Sequence, residues 1–285
     1  MIGNLRLTVV VEDSTSMENP NLIAKHGLSF LIEAEMKDAK QFTLLMDTGP
    51  SPDIVLHNMR SMTINPQKID LIVLSHGHYD HTGGLLEVLR RIGRQTLVVA
   101  HPKIFDLKLR CRPSLKLIGS PFRSPDVEKA GGVMLYARNP VTLAEGTSTS
   151  GEIGREVAFE KVDGFWTVDG DLFVEDVIVD DQALLFNLEN KGLAVVTGCA
   201  HAGIINTIRH AQKVMGIDKV YAVVGGFHLA QADDDRIAAT IRELAGFNPM
   251  IVGPCHCTGF KATRQLVEAF GDRCIPLRTG DMLRL

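Results

Sequence analysis

Residues 75–83 read SHGHYDHTG, so His76, His78, Asp80 and His81 fall within six positions of a chain that has only ten histidines. Histidines at i and i+2 of an extended segment point to the same side. Asp80 and His81 then arrive from the turn into whatever follows. Imidazole and carboxylate together suit a divalent zinc, iron or manganese ion, and this loop by itself does not choose among the three. A lone histidine usually packs or is solvated. Four ligand-type residues at this density need another reason, and Gly83 and Gly84 beside them let the backbone and a helix start approach closely.

The elements that must position this loop are legible as apolar runs. LRLTVVV (5–11), LSFLIEA (28–34) and FTLLMD (42–47) read as strands, so the chain opens all-β. IDLIVLSHG (69–77) reads as a buried strand that ends at the histidines. GGLLEVLRRIG (83–93) has helical spacing with Gly93 as its C-cap. From residue 181 onward strands ALLFNL, LAVVTG, KVYAVVGG (219–226) and PMIVGP (249–254) alternate with helices at about 203–214, 235–245 and 261–270. That rhythm predicts an α/β layered fold with both sheet faces covered. His76, His201, His228 and His256 each follow an apolar strand by one to four residues. Ligands gather at strand ends in such sheets, so these four histidines are expected to share one site.

Residues 110–175 interrupt the rhythm with CRPS, GSPFRSPD and EGTSTSGEIG. They read as an insertion or lid within a single domain spanning 1–285. Other features carry weaker expectations. Thr258 and Gly259 precede a helix start with Lys261 in its first turn, an arrangement suited to an anion. Cys255 and Cys257 flank His256 and, if the segment is extended, face the core. His26, His57, His101 and His210 lie outside the motifs and read as surface or core residues.

Bulk composition narrows the functional classes. With 45% hydrophobic and 22% charged residues the chain is of ordinary globular character. A formal net charge of -4 gives no broad cationic field, so nucleic acid is not an expected partner. No apolar stretch approaches the roughly 18 to 20 residues needed to span a bilayer, and the start does not read as a signal peptide, so a cytoplasmic location is expected. Five scattered cysteines read as reduced thiols, not as a disulfide framework.

The HxHxDH pattern of His76, His78, Asp80 and His81 resembles the signature of the metallo-β-lactamase superfamily. LLMDTG (44–49) fits the same resemblance, with Asp47 as an aspartate that orients a ligand histidine. HGLSFLIEA, LSHGHYDHTGGL, TSGEIGRE, TGCAHAGIINT, GGFHL and HCTG together are similar to a subgroup of 7,8-dihydropterin-6-methyl-4-(β-D-ribofuranosyl)aminobenzene-5'-phosphate synthase-like proteins. The resemblance spans nearly the whole chain. It implies a four-layer αββα sandwich with one or two divalent metal ions at a sheet edge, zinc foremost and iron or manganese as alternatives. His76, His78 and His201 would hold one metal, and Asp80, His81 and His256 the second. Cys199 stands where the superfamily usually has a bridging aspartate, either as a thiolate ligand or as a small buried hydrophobe. Glu152 lies in the subgroup's SGEIG motif and would belong to a substrate wall.

Such a metal would lower the pKa of bound water from about 15.7 to near 7. Asp80 would orient the attacking water and His228 stabilise the developing oxyanion. The expected activity is hydrolysis of a small molecule, phosphorylated or pterin-like. Two alternatives stand beside it: phosphoribosyl transfer in pterin cofactor synthesis, and metal or ligand binding without turnover.

Overall fold

The computed structural model describes residues 1–37 and 39–285. Its main sheet runs along one hydrogen-bonded path: Ile251–Cys255, Val220–Gly226, Gly192–Thr197, Ala183–Leu188, Ile2–Val11, Ser29–Met36, Gln41–Met46, Leu71–Val73, Thr96–Ala100 and Gly132–Tyr136. Its two halves are joined where Ile2 pairs in parallel with Leu188.

Strand alternation divides the buried side chains between two kinds of interface. Leu5, Leu7, Val9, Phe30, Ile32, Leu44 and Met46 from one half pack in a single cluster with Leu184, Phe186, Ala194, Val196, Ala222 and Val224 from the other. The two half-sheets therefore face each other. Residues of the opposite parity face helices. Leu31, Leu45, Ile72 and Val98 meet Val55 and Met59 of helix Pro52–Ser61 and Val88 and Leu89 of helix Leu85–Ile92. On the far side Val223 and Val252 meet Ile205 and Ile208 of helix Ile204–Met215, Ile237 of Asp234–Gly246 and Leu266 of Phe260–Phe270. The order of layers is helix, sheet, sheet, helix, the αββα sandwich expected above.

The element boundaries differ from the expectation at two places that matter. The strand read over 69–77 keeps its ladder only at Leu71–Val73. Beyond it side chains replace the ladder: Ser75 N–H donates to Asp47 Oδ1 at 2.7 Å and Gly77 N–H to Asp180 Oδ2 at 2.8 Å. The helix read over 83–93 is preceded by a short turn of helix at Tyr79–Thr82 and runs from Leu85 to Ile92. Gly93 ends it with φ 73, the left-handed cap that glycine adopts without a Cβ penalty.

Residues 110–175 divide between two structures. Gly132–Tyr136 extends the main sheet by pairing with Thr96–Ala100, and Thr147–Thr149 pairs with Ala183–Leu188. A separate sheet is formed by Leu172–Glu175, Phe165–Asp169, Leu109–Arg110 and Lys116–Leu117, in that order. It docks on the histidine loop, where Tyr79 N–H donates to Ile118 O at 2.9 Å and His78 bridges to Gly119.

Candidate metal centre

Six strand ends from both half-sheets converge on one place. They deliver Asp13, Asp47, His76, the Cys199–His201 turn, His228 and His256. Four of the turns hold a non-glycine residue in the left-handed region: Asp47 (φ 59), Ala200 (φ 52), His228 (φ 49) and His256 (φ 50). Each such residue costs about 1–2 kcal/mol, and their concentration in one corner marks a site where geometry is held against local preference.

His76, His78 and His201 each offer a ring nitrogen within 4.8 Å of the others. His76 Nε2 lies 2.9 Å from His78 Nδ1, and the His201 ring centroid is 4.7 Å from that of His76 and 5.0 Å from that of His78. His201 reaches this place because its turn is pinned. Arg155 donates from Nη1 to the His201 carbonyl at 2.9 Å, and Asp181 Oδ2 accepts from Ala202 N–H at 2.9 Å. The following helix lacks a side-chain cap at Gly203, and Glu160 serves instead by accepting from Ile205 and Asn206 N–H. The GREV stretch (154–157) thus acts through Arg155 on the backbone beneath His201.

Asp80, His81 and His256 form a second group within the same 4.8 Å limit. Asp80 Oδ2 stands 3.6 Å from His81 Nε2 and 3.5 Å from His256 Nε2. Asp47 occupies the expected orienting position: its Oδ2 is 2.7 Å from His81 Nδ1 and accepts from Ser75 Oγ at 2.6 Å. Gly198 keeps that contact open, since a Cβ there would lie 2.1 Å from Ser75 Oγ. Cys199 Sγ is 3.2 Å from His81 Nε2, between the two groups, and burial pushes its thiol up.

Three residues not singled out by the motifs also stand here. Asp13 Oδ1 lies 2.8 Å from His256 Nδ1, and its Oδ2 lies 2.9 Å from His26 Nδ1. His26 Nε2 in turn is 3.5 Å from Asp80 Oδ2, so this exposed histidine, expected as a surface or core residue, lies on the surface at the rim of the second group. Cys257 also departs from expectation. Cys255 joins the inter-sheet core, but the turn at His256–Thr258 breaks strand alternation and brings Cys257 Sγ within 4.8 Å of Cys199 and His256. Phe165 of the small sheet covers the rings at 5.3 Å from His78, 5.2 Å from His201 and 5.9 Å from His228.

Other expected residues lie in different settings. His228 adjoins the first group, 4.2 Å from the His201 ring. Thr258 is fully buried, and its Oγ1 accepts from Phe227 N–H at 3.1 Å, which holds the turn that carries His228. Lys261 pairs with Asp234 at 2.9 Å and is not aimed at the helix start as an anion ligand. Glu152 is engaged by His101 Nε2 at 2.7 Å and by Arg138 at 3.1 Å.

The protonation of the first group and the hydrogen bonding of both suit a cation. Burial pushes His78 down to about 3 and holds His76 and His201 well below the ordinary imidazole value, so all three are neutral at pH 7, the form a metal ligand requires. Burial would raise Asp80, yet His81 and His256 outweigh it and hold the carboxyl well below its usual range. His256 is shifted up, because Asp13 and Asp80 outweigh its burial. His78 Nε2, both ring nitrogens of His201 and His256 Nε2 are enclosed with no hydrogen-bond partner. Buried imidazole nitrogens without partners are costly unless something binds them, and a divalent ion in either three-residue group is a partner of the right chemistry.

Layered sandwich and histidine-lined edge define a class, and a model of the metallo-β-lactamase superfamily matches residues 24–177. The chain belongs to the metallo-β-lactamase superfamily. It is 37% identical to 7,8-dihydropterin-6-methyl-4-(β-D-ribofuranosyl)-aminobenzene-5'-phosphate synthase of Methanocaldococcus jannaschii, over 99% of this chain and 97% of that protein. Tm1679, a metal-dependent hydrolase of the β-lactamase superfamily, superposes with a TM-score of 0.81 at 25% identity over 98% of each chain. YhfI from Bacillus subtilis shares the fold, with a TM-score of 0.58 at 11% identity over 99% of this chain and 100% of that one.

Proposed function

We propose that this chain is a metal-dependent hydrolase of a phosphate-bearing small molecule. In this reading His76, His78 and His201 hold one divalent ion, and Asp80, His81 and His256 hold a second. The observation that carries the proposal is the set of enclosed, unpartnered nitrogens on His78, His201 and His256. Zinc is the ion best suited to imidazole-rich ligands with a thiol alongside, and iron or manganese would fit the carboxylate. Such an ion would supply Lewis acidity toward a phosphoryl oxygen and acidify water to a pKa near 7.

The chain's own residues supply the rest. Asp80, held ionised, accepts a hydrogen bond from the incoming water and sets its direction. His228, with an enclosed and unpartnered Nδ1, donates to oxygen as negative charge develops there. Asp47 fixes the His81 ring through its Nδ1. The small sheet acts as a lid wall, and Phe165 excludes bulk water from the histidines.

The test is a panel of phosphoesters, lactones and thioesters assayed after metal restoration. Phosphoester turnover that disappears in His81→Ala, with the circular dichroism spectrum retained, is the expected result. Unchanged turnover in that variant refutes the assignment, and stoichiometric metal with no turnover on any compound favours a binding protein.

A second reading rests on the 37% identity to the M. jannaschii synthase. There the same site would serve transfer from a phosphoribosyl donor in pterin cofactor synthesis. Release of pyrophosphate marks transfer, and release of orthophosphate marks hydrolysis.

A further inference from the structure

Among the described residues, the small sheet presents a cation that no ion pair neutralises. Arg110 is partly buried, and its Nε is enclosed without a hydrogen-bond partner. Among the described residues no carboxylate pairs with it, although the chain carries 34 acidic residues against 30 Lys and Arg. Its position is set by register. Arg110 is directly opposite Phe165 on one side and Lys116 on the other. Directly opposed residues of antiparallel strands point to the same face, so Phe165, Arg110 and Lys116 form a row across the sheet. Phe165 fixes which face that is, because its ring lies 5.3 Å from His78 and 5.2 Å from His201.

A further observation holds the row over the site. The chain continues from Lys116–Leu117 into Ile118 and Gly119, which pair with Tyr79 and His78. The opposite face carries the stacked Trp166 and Phe173, with ring centroids 4.6 Å apart. One face of the sheet is thus an aromatic pack, and the other sets two cations and a phenyl ring against the histidines.

We propose that Arg110, with Lys116 beside it, is the receptor for a dianionic phosphate of the substrate, and that Phe165 receives a planar ring attached near that phosphate. A guanidinium with an enclosed, unsatisfied N–H gains most from a phosphate, whose oxygens accept its parallel donors in one plane. The proposal deepens the phosphate-ester reading above and rests on it for the substrate class. It assigns recognition to the small sheet and leaves chemistry to the metal ligands. Arg110 is a specificity-determining residue that holds a phosphate other than the one the metal centre cleaves.

Phenylphosphonate is a suitable probe, because it carries a dianion on an aromatic ring and has no ester to cleave; benzyl alcohol is its neutral control. Binding of each to the metal-loaded protein is measured by calorimetry, alongside metal content. Arg110→Gln is expected to weaken phenylphosphonate by about tenfold or more, the scale of a charge-assisted hydrogen bond. Benzyl alcohol affinity and metal content should stay unchanged, and Arg110→Lys should recover part of the loss. Three results overturn the proposal: no binding of phenylphosphonate to the wild type, equal affinity in Arg110→Gln, or parallel loss of benzyl alcohol or metal in that variant. Arg110-dependent binding without phosphoester turnover by the wild type would sink the hydrolase reading and leave this one standing.

Discussion

At the scale of single residues, the site depends on acids whose surroundings assign them different charges. Asp80 is kept ionised by neighbouring imidazoles. Asp181 is 3% exposed, and burial pushes it up to about 6 from 3.8. Its Oδ2 holds Ala202 N–H, while Oδ1 has no partner. A carboxyl raised on folding binds more protons in the native state between those two values. Its contribution is therefore fully present below about 3.8 and lost as pH rises through about 6, where it costs about 3 kcal/mol. Asp181→Asn keeps an oxygen for Ala202 and removes the charge. It should raise unfolding free energy at pH 8 by about 2–3 kcal/mol, with the gain fading toward pH 4. Urea denaturation at the two pH values checks this, and an equal effect at both would refute it. Asp181 gave no sign of this role in sequence, whereas Asp47 did, through the superfamily resemblance that LLMDTG carries. Asp13 and His26 were hidden for a physical reason: Asp13 meets His256 across 243 positions of chain, and only the folded sheet brings them together.

At the scale of elements, the histidine loop is irregular backbone supported from beneath. Lys108 is 2% exposed, and its Nζ lies 2.6 Å from Asp180 Oδ1 and 3.2 Å from Asp176 Oδ2. Asp180 in turn accepts from Gly77 N–H, the peptide between His76 and His78. Gly77 is required there because a Cβ would lie 2.1 Å from the Ile104 carbonyl oxygen. Removing the cation leaves two carboxylates unbalanced in a dry setting, which costs about 3–5 kcal/mol. Lys108→Met should lower unfolding free energy by that amount and weaken metal retention in a chelator titration. A change under about 1 kcal/mol would show that the pair does not support the loop. The sequence made the loop's ligands visible through their spacing. The support was not visible, since Lys108 reads as an ordinary surface lysine until Asp176 and Asp180 are brought against it. Cys257 was misplaced for a related reason, because the left-handed His256 turns the chain and alternation no longer applies.

At the scale of the whole molecule, the strand and helix rhythm and a layered α/β fold were legible in periodicity that survives in linear order, and the αββα order came from the superfamily resemblance. Pairing between the halves was not, and neither was the small sheet, whose strands at 109–117 and 165–175 are separated by segments that return to the main sheet. Assembly of the two halves is what makes the candidate metal centre: His76 and His78 come from the first half, His201 and His256 from the second. No helix among the described residues is long and apolar enough to cross a membrane. Elemental analysis of purified wild type and His201→Ala, on samples that retain the same circular dichroism spectrum, puts this convergence to the test. The wild type is expected to carry at least one divalent ion per chain and the variant one fewer. Equal metal content in the two proteins, or none in either, would contradict the assignment of these histidines as ligands.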